Sequence, residues 1–320
     1  MSGDAEEIEA LLRRWDAAED PEPLVIETSG SSGQPKRVML SRAALRASAD
    51  ATHARLGGPG RWELNLPPTY VAGVQVLFRT IRAGADPERT YISLVPTQLV
   101  RMRAEWDALT RYDAVLIGGG PLDPVVRGEA EAAGVRIVQT YGMSETCGGC
   151  VYDGVPLEGI EVRIETASDE FGGAVLVRGP VLFDGYQGEP DRTAAAFRDG
   201  WLVTNDLGHW AEDGRLRIDG RSDDVIITGG LKVPARVVAG AVAGHPDVEA
   251  VEVLGVPDPE WGERVVAFVV SREPLVLEQV RDLVAPRSWA PRQILRLPEL
   301  PVLANGKTDR VLLRKLAADE

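Results

Sequence analysis

Apolar positions in this chain follow two rhythms that alternate along its first half. Over 4–18 they recur at helical spacing, and Pro21 and Pro23 end that helix before a strand at 24–28. The spacing predicts a helix over 41–55 that starts at a serine cap and stops at the GGPG of 57–60. WELNLPP reads as a strand entering a proline turn, and 71–84 returns to helical spacing. A strand at 91–96 leads into a helix reaching about Leu109. A strand in 113–122 ends in three glycines, a helix follows to Ala133, and 135–142 is a further strand. Strands alternating with helices predict an α/β fold with a mostly parallel sheet covered on both faces. Such sheets bind ligands beyond the carboxyl ends of their strands. The stretches 28–36, 118–121 and 140–146, rich in glycine or hydroxyls, all follow strand ends.

After Gly149 the rhythm shortens. IEVRIE, AVLVRG, WLVTND and RLRIDG are short strands separated by turns, which predicts a small antiparallel or barrel-like β unit. GRSDD at 220–224 marks a boundary. Beyond it come a helix (PARVVAGAVAGH), strands VEAVEVLGV and RVVAFVVS, a helix near 277–284, a strand QILRLP and a last helix from about Asp309. That tail fits a compact C-terminal α+β domain. The expected division is a core domain over 1–220 and a smaller domain over 221–320.

The chain has 320 residues and a net charge of −14, with a pI near 4.8. This balance argues against a nucleic-acid surface, which needs a basic face, but leaves room for a small cationic phosphate site. No apolar run reaches membrane-spanning length, so no membrane insertion is expected. Residues 1–20 are acidic and carry no signal-peptide pattern, so a soluble cytoplasmic protein is expected. Cys147 and Cys150 form a C-x-x-C without a second pair or nearby histidines. It reads as two small reduced residues rather than a redox or zinc site.

The densest chemistry lies in 27–38, ETSGSSGQPKRV. Thr28, Ser29, Ser31 and Ser32 surround Gly30 and Gly33, and Lys36 follows Pro35. Read with its flanks, this is a strand, a glycine loop and then a helix. Glycines let backbone N–H groups converge on one point, hydroxyls add donors, and an ammonium suits phosphate. It is not a Walker loop, because no GK[ST] follows the glycines. A plain Ser/Gly turn has a similar composition. The chain holds only four lysines, Lys36, Lys232, Lys307 and Lys315, against many arginines. Where lysine is kept, a compact ammonium rather than a planar fork is the expected need. Glu145, in YGMSET, is a hard oxygen donor, and Mg²⁺ takes one or two carboxylates plus phosphate oxygens. Asp206, in TNDLG, offers a carboxylate for two ribose hydroxyls, or else an Asx turn. Lys307, in ANGKTDR, is on composition alone a surface lysine.

Together these motifs resemble the adenylate-forming superfamily of acyl-CoA synthetases, luciferases and adenylation domains. They run in the family order from residue 28 to residue 310. The loop is similar to the family's triphosphate signature, with Arg37 in place of its last glycine. The resemblance implies that Thr28, Ser29, Gly30, Ser31, Ser32, Gly33 and Lys36 hold ATP phosphates. It implies that Gly119, Gly120, Pro121, Tyr141 and Gly142 hold adenine, Thr146 the α-phosphate and Glu145 the Mg²⁺. Asp206 and Arg221 would take the ribose, Asn205 replacing the usual glycine beside Asp206. Asp223 would be the hinge about which the small domain turns, and Lys307 the catalytic cation on substrate carboxylate and α-phosphate. Most members carry well over a hundred residues before the phosphate loop, whereas 27 precede it here, so a front subdomain is expected to be missing.

Within the superfamily the stretches at 51–84 and 141–164 look like the compact actinobacterial o-succinylbenzoate–CoA ligases of menaquinone synthesis. The acid would then lie against Tyr70, Gly73, Arg79 and Gly118. Tyr70-Val71-Ala72-Gly73 stands where His-Ile-[SA]-Gly is usual. Arg79 would meet a second substrate carboxylate; a helix-surface or ion-paired arginine is the alternative. ATP, Mg²⁺, CoA and a small acid are the implied partners. Adenylation of another acid, for CoA or a carrier-protein thiol, and a degenerate nucleotide-binding protein are the other readings.

Overall fold

A computed structural model describes residues 3–28, 35–85, 87–165, 172–303 and 308–318. The expected phosphate-loop residues Ser29, Gly30, Ser31, Ser32 and Gly33, and the expected catalytic Lys307, lie outside them. The chain is α/β and forms two compact units. One comprises Met1–Arg163, Leu176–Thr204 and Ala211–Leu216; the other comprises Ile164–Val175, Asn205–Trp210 and Arg217–Glu320.

The first unit contains a six-stranded sheet. Its strands Gly60–Glu63, Arg89–Leu94, Ala114–Ile117 and Ile137–Met143 are parallel, in that order. Gly148–Tyr152 and Val155–Pro156 then extend it antiparallel. Ala114–Ile117 is buried at all four positions, as a strand covered on both faces must be. Leu99, Trp106, Leu109 and Ala130 pack against Ile92, Leu94, Val115 and Ile117 from the helical connections. A second core gathers Ile8 and Leu12 of helix Ala5–Ala17, Leu45 and Ala49 of helix Arg42–Leu56, and Val74 and Phe78 of helix Val71–Ala83.

One expectation needs correction. Leu24–Thr28 is followed by an antiparallel strand, Lys36–Leu40, before the helix starts at its Ser41 cap. The stretch is therefore a hairpin rather than strand, loop, helix. Val38 and Leu40 alternate inward on the second strand and seal the Ile26 core, which KRVML is too short to announce. Gly185–Tyr186 adds a third strand beside it.

In the second unit, Val248–Asp258 and Gly262–Ser271 form a long hairpin, and Gln293–Arg296 joins it in parallel. Successive residues face opposite sides. Val253, Val265 and Ala267 meet Val238 and Val242 of helix Ala235–Ala243; Leu254, Val266 and Phe268 meet Leu313 and Ala317 of helix Arg310–Ala318. A hairpin of Val225–Thr228 and Leu231–Pro234, not foreseen from the sequence, completes this sheet. A further five-stranded sheet contains Phe197–Arg198, Trp201–Trp210, Gly173–Arg178 and Glu161–Glu165, with Leu216–Arg221 paired to Trp201–Trp210. No helix among the described residues is long and apolar enough to cross a membrane.

Candidate functional site

In the first unit, parallel strands deliver their carboxyl ends to one edge, and the glycines there are forced by packing. A Cβ on Gly118 would stand 2.5 Å from Thr140 Oγ1, so the 118–121 and 140–146 stretches meet only through glycine. A Cβ on Gly142 would stand 2.0 Å from Gly148 O, where the hairpin after Tyr141 shifts register. Gly73 is nearly as tight against the proline turn, its Cβ position lying 2.1 Å from Pro67 O. Tyr70, half-buried, caps that helix without a side-chain hydrogen bond.

Glu145 sits on a single turn, Ser144–Thr146. Its carbonyl accepts from Phe183 N at 3.0 Å. Its Oε1 accepts from the Tyr186 hydroxyl at 2.7 Å, and among the described residues Oε2 has no partner. Burial first, and then Glu145, push the Tyr186 phenol far above its usual range, so it remains a donor. Lys36 Nζ stands 5.5 Å from the centre of the Tyr186 ring. Two residues expected at the phosphates and metal, distant in sequence, thus share one tyrosine that the sequence reading did not single out.

Thr146 behaves differently from its expected role. It is 0% exposed, and its hydroxyl accepts from Met143 N at 2.9 Å and reaches Gly148 O at 2.7 Å. A hydroxyl bound inside its own turn holds the turn and has no face left for phosphate. Ser144, partly exposed beside Glu145 and without a side-chain partner among the described residues, is the free hydroxyl of the motif. Cys147 and Cys150 are both buried and unbonded to each other, and burial pushes the Cys147 thiol far up, which leaves it inert.

Arg79 is only 4% exposed, yet among the described residues it makes no ion pair, and its buried Nε has no hydrogen-bond partner. Its guanidinium stacks on Trp62, 4.9 Å from the ring centre. It is not a surface arginine, nor an ion-paired one among the described residues. His53 is also buried, with Nε2 unpartnered. Burial and then the Arg79 charge bring its pKa down to about 4. The unfolded imidazole titrates near 6.5. Between those values the unfolded chain binds more protons, so stability falls as pH drops through this window, by up to about 1.4 kcal/mol per unit. Urea melts from pH 7 to 4.5 should show a smaller loss for His53→Leu than for wild type.

In the second unit, Asp206 is 7% exposed and meets Arg221 Nη1 at 3.2 Å. Arg221 holds Asp223 through Nε at 2.7 Å and Nη2 at 2.8 Å, and Asn205 Nδ2 donates to the same carboxylate at 3.3 Å. Burial works against the Asp223 charge, but the Arg221 hydrogen bonds overcome it and hold the pKa below the usual range. A cavity of about 600 Å³ opens beside Arg221, bordered by Asp219, Arg236 and Trp289. On either side of 304–307, Val302 forms a bridge with Thr308, and Asp309 N donates to Pro301 O at 2.8 Å.

Residues 64–187 match the AMP-binding enzyme family, and 238–307 match the AMP-binding enzyme C-terminal domain. A probable 2-succinylbenzoate–CoA ligase of Mycobacterium tuberculosis is 40% identical, over 98% of this chain and 90% of the relative. The chain belongs to the AMP-binding enzyme family. Among solved structures, this family member is similar to the o-succinylbenzoate CoA synthetase of Bacillus subtilis in complex with its acyl-adenylate intermediate. The TM-score is 0.78 at 27% identity, over 91% of this chain and 68% of that one. The same enzyme in complex with ATP and magnesium gives 0.78 at 27%, over 91% and 69%.

Proposed function

We propose that this AMP-forming ligase joins o-succinylbenzoate to CoA through an acyl adenylate, the thioester-forming step of menaquinone biosynthesis. The observation that carries the acid assignment is Arg79, a buried cation with no anionic partner among the described residues. A second carboxylate on the substrate would supply one. The similar M. tuberculosis and B. subtilis proteins, named for this substrate, support it. We place an adenylate-forming domain over 1–220 and a lid domain over 221–320, with Asp223 at the pivot.

A carboxylate oxygen of the acid attacks the α-phosphorus of ATP, the bond to the β-phosphate oxygen breaks, and pyrophosphate leaves. The 28–36 loop with Lys36 takes the phosphates, Gly119, Gly120, Pro121, Tyr141 and Gly142 the adenine, and Asp206 and Arg221 the ribose. Ser144 takes the phosphate hydrogen bond that Thr146 is too buried to make. Lys307 places its charge where the equatorial oxygens become more negative. The CoA sulfur, having lost its proton, then attacks the acyl carbon and AMP leaves. Glu145 fits Mg²⁺: among the described residues it is a hard donor with Oε2 unpartnered, and no cluster of three or more ligands makes a dedicated cage. When bound there, Mg²⁺ neutralises phosphate charge.

Pyrophosphate release is expected with o-succinylbenzoate at a kcat/KM about 10–100-fold above benzoate or fatty acids, the value of one charge-assisted contact. Preference for a monocarboxylate would move the enzyme to another acid. No release with any acid would leave a nucleotide-binding protein without catalysis. An unchanged thioester yield when CoA is replaced by a carrier-protein thiol would reassign the acceptor.

A further inference from the structure

We propose that Tyr186 is a positioning residue that commits Glu145 to meeting a divalent cation through one oxygen, and so sets a preference for Mg²⁺ over Ca²⁺. The inference rests on the reading of Glu145 as the metal carboxylate. The Tyr186 hydroxyl donates to Glu145 Oε1 at 2.7 Å, which leaves Oε2 as the oxygen without a partner among the described residues. A carboxylate with one oxygen already bound is poorly placed to chelate through both. Mg²⁺ asks for near-octahedral, single-oxygen ligation, whereas Ca²⁺ accepts carboxylates through one or two oxygens.

The tyrosine is built to hold that geometry. Its backbone lies in the short strand Gly185–Tyr186, in register with Val38, two residues past Lys36. Gln187 N donates to Arg37 O at 2.9 Å, and Tyr186 N donates to Thr193 Oγ1 at 2.8 Å. Three residues earlier, Phe183 N ties the Glu145 carbonyl, and the Phe183 ring packs edge-on against Tyr186 at 4.9 Å. Backbone and side chain of Glu145 are thus both gauged from the segment that flanks the base of the candidate phosphate loop. The opposite constraint is the ring itself, which carries Lys36 at 5.5 Å and Arg192 at 5.0 Å. The hydroxyl serves the carboxylate, and the ring face serves the cations.

These two duties separate by substitution. Tyr186→Phe keeps the ring and removes the donor; Tyr186→Leu removes both. The measurement is calorimetric titration of ATP into the full-length protein with Mg²⁺, with Ca²⁺ and with neither. In wild type, Mg²⁺ should tighten ATP more than Ca²⁺ does, and Glu145→Gln should abolish the dependence on either ion. Tyr186→Phe is expected to shrink the Mg²⁺-to-Ca²⁺ preference about tenfold while leaving metal-free ATP binding as in wild type. Tyr186→Leu should also weaken metal-free binding, because Lys36 loses its support. A purely structural tyrosine would weaken both ions equally, and an unchanged or uniformly shifted pair of affinities in Tyr186→Phe overturns the proposal. If Tyr186→Phe does not fold, the Leu variant must still narrow the preference, and a ratio held at the wild-type value overturns it. ATP binding indifferent to both ions in wild type, or metal dependence surviving in Glu145→Gln, overturns the reading of Glu145 itself. That result is distinct from a failure confined to Tyr186.

Discussion

Replacing Lys307 with Ala is expected to lower acid-dependent pyrophosphate release by about 10²–10³-fold. Thioester formation from a supplied acyl adenylate should stay near wild type. The two half-reactions differ in what they ask of a cation. A carboxylate approaching a phosphate meets like charge, and negative charge grows on the equatorial oxygens as the bond to pyrophosphate lengthens. An ammonium aimed at that position interacts more strongly with the transition state than with the bound substrates, and only such an interaction lowers the barrier. Thiolate attack on the acyl carbon expels AMP and places no such demand there. The substitution should leave the fold intact, because the chain on both sides is anchored without it. Val302 pairs with Thr308, and Arg310 meets Asp224 at 2.5 Å and Glu252 at 2.9 Å. Lys307→Arg should not restore the rate, since a planar fork does not replace a point charge at one phosphate. Equal loss of both half-reactions would remove Lys307 from this role.

The anchoring also shows where sequence reading succeeds. Buried parallel strands were legible because both faces need apolar side chains: AVLI at Ala114–Ile117 is a continuous buried run. The short strands of the three-stranded sheet were not. Lys36–Leu40 buries only Val38 and Leu40, and Gly185–Tyr186 is two residues long, so neither has a rhythm to read. The motifs singled out Glu145 and Lys36 as candidates because charged residues in glycine-rich turns are conspicuous, whereas Arg221 was read through the family resemblance. Tyr186 was invisible because it acts 41 residues from Glu145, and no local pattern encodes that contact. Thr146 and Ser144 differ by burial alone, which the string SET does not reveal. Arg79 stood between two readings in the sequence, and its burial, with no ion pair among the described residues, argues against the surface and ion-paired one.

Arg79→Met should raise the KM for o-succinylbenzoate by about 10–100-fold and leave the KM for a monocarboxylic acid unchanged. In the absence of substrate it should leave the thermal midpoint unchanged or raise it. The second half follows from the balance of forces at the site. Burying an unpaired guanidinium costs several kcal/mol of lost hydration. Stacking on Trp62, 4.9 Å away, returns about 0.5–2 kcal/mol. Of its nitrogens, Nε is buried with no partner among the described residues, and a bound anion would supply the guanidinium with one. Met fills comparable volume without charge and keeps contact with the Trp62 ring through its sulfur. A neighbouring reporter is at hand: the Arg79 charge is the second cause, after burial, of the depressed His53 pKa. In Arg79→Met that value should move upward from about 4, and a dicarboxylate bound to wild type should move it the same way. NMR titration of His53 reads both. An unchanged KM for the dicarboxylate would end the substrate role of Arg79. A lower thermal midpoint would make the arginine a packing element of the Trp62 cluster instead.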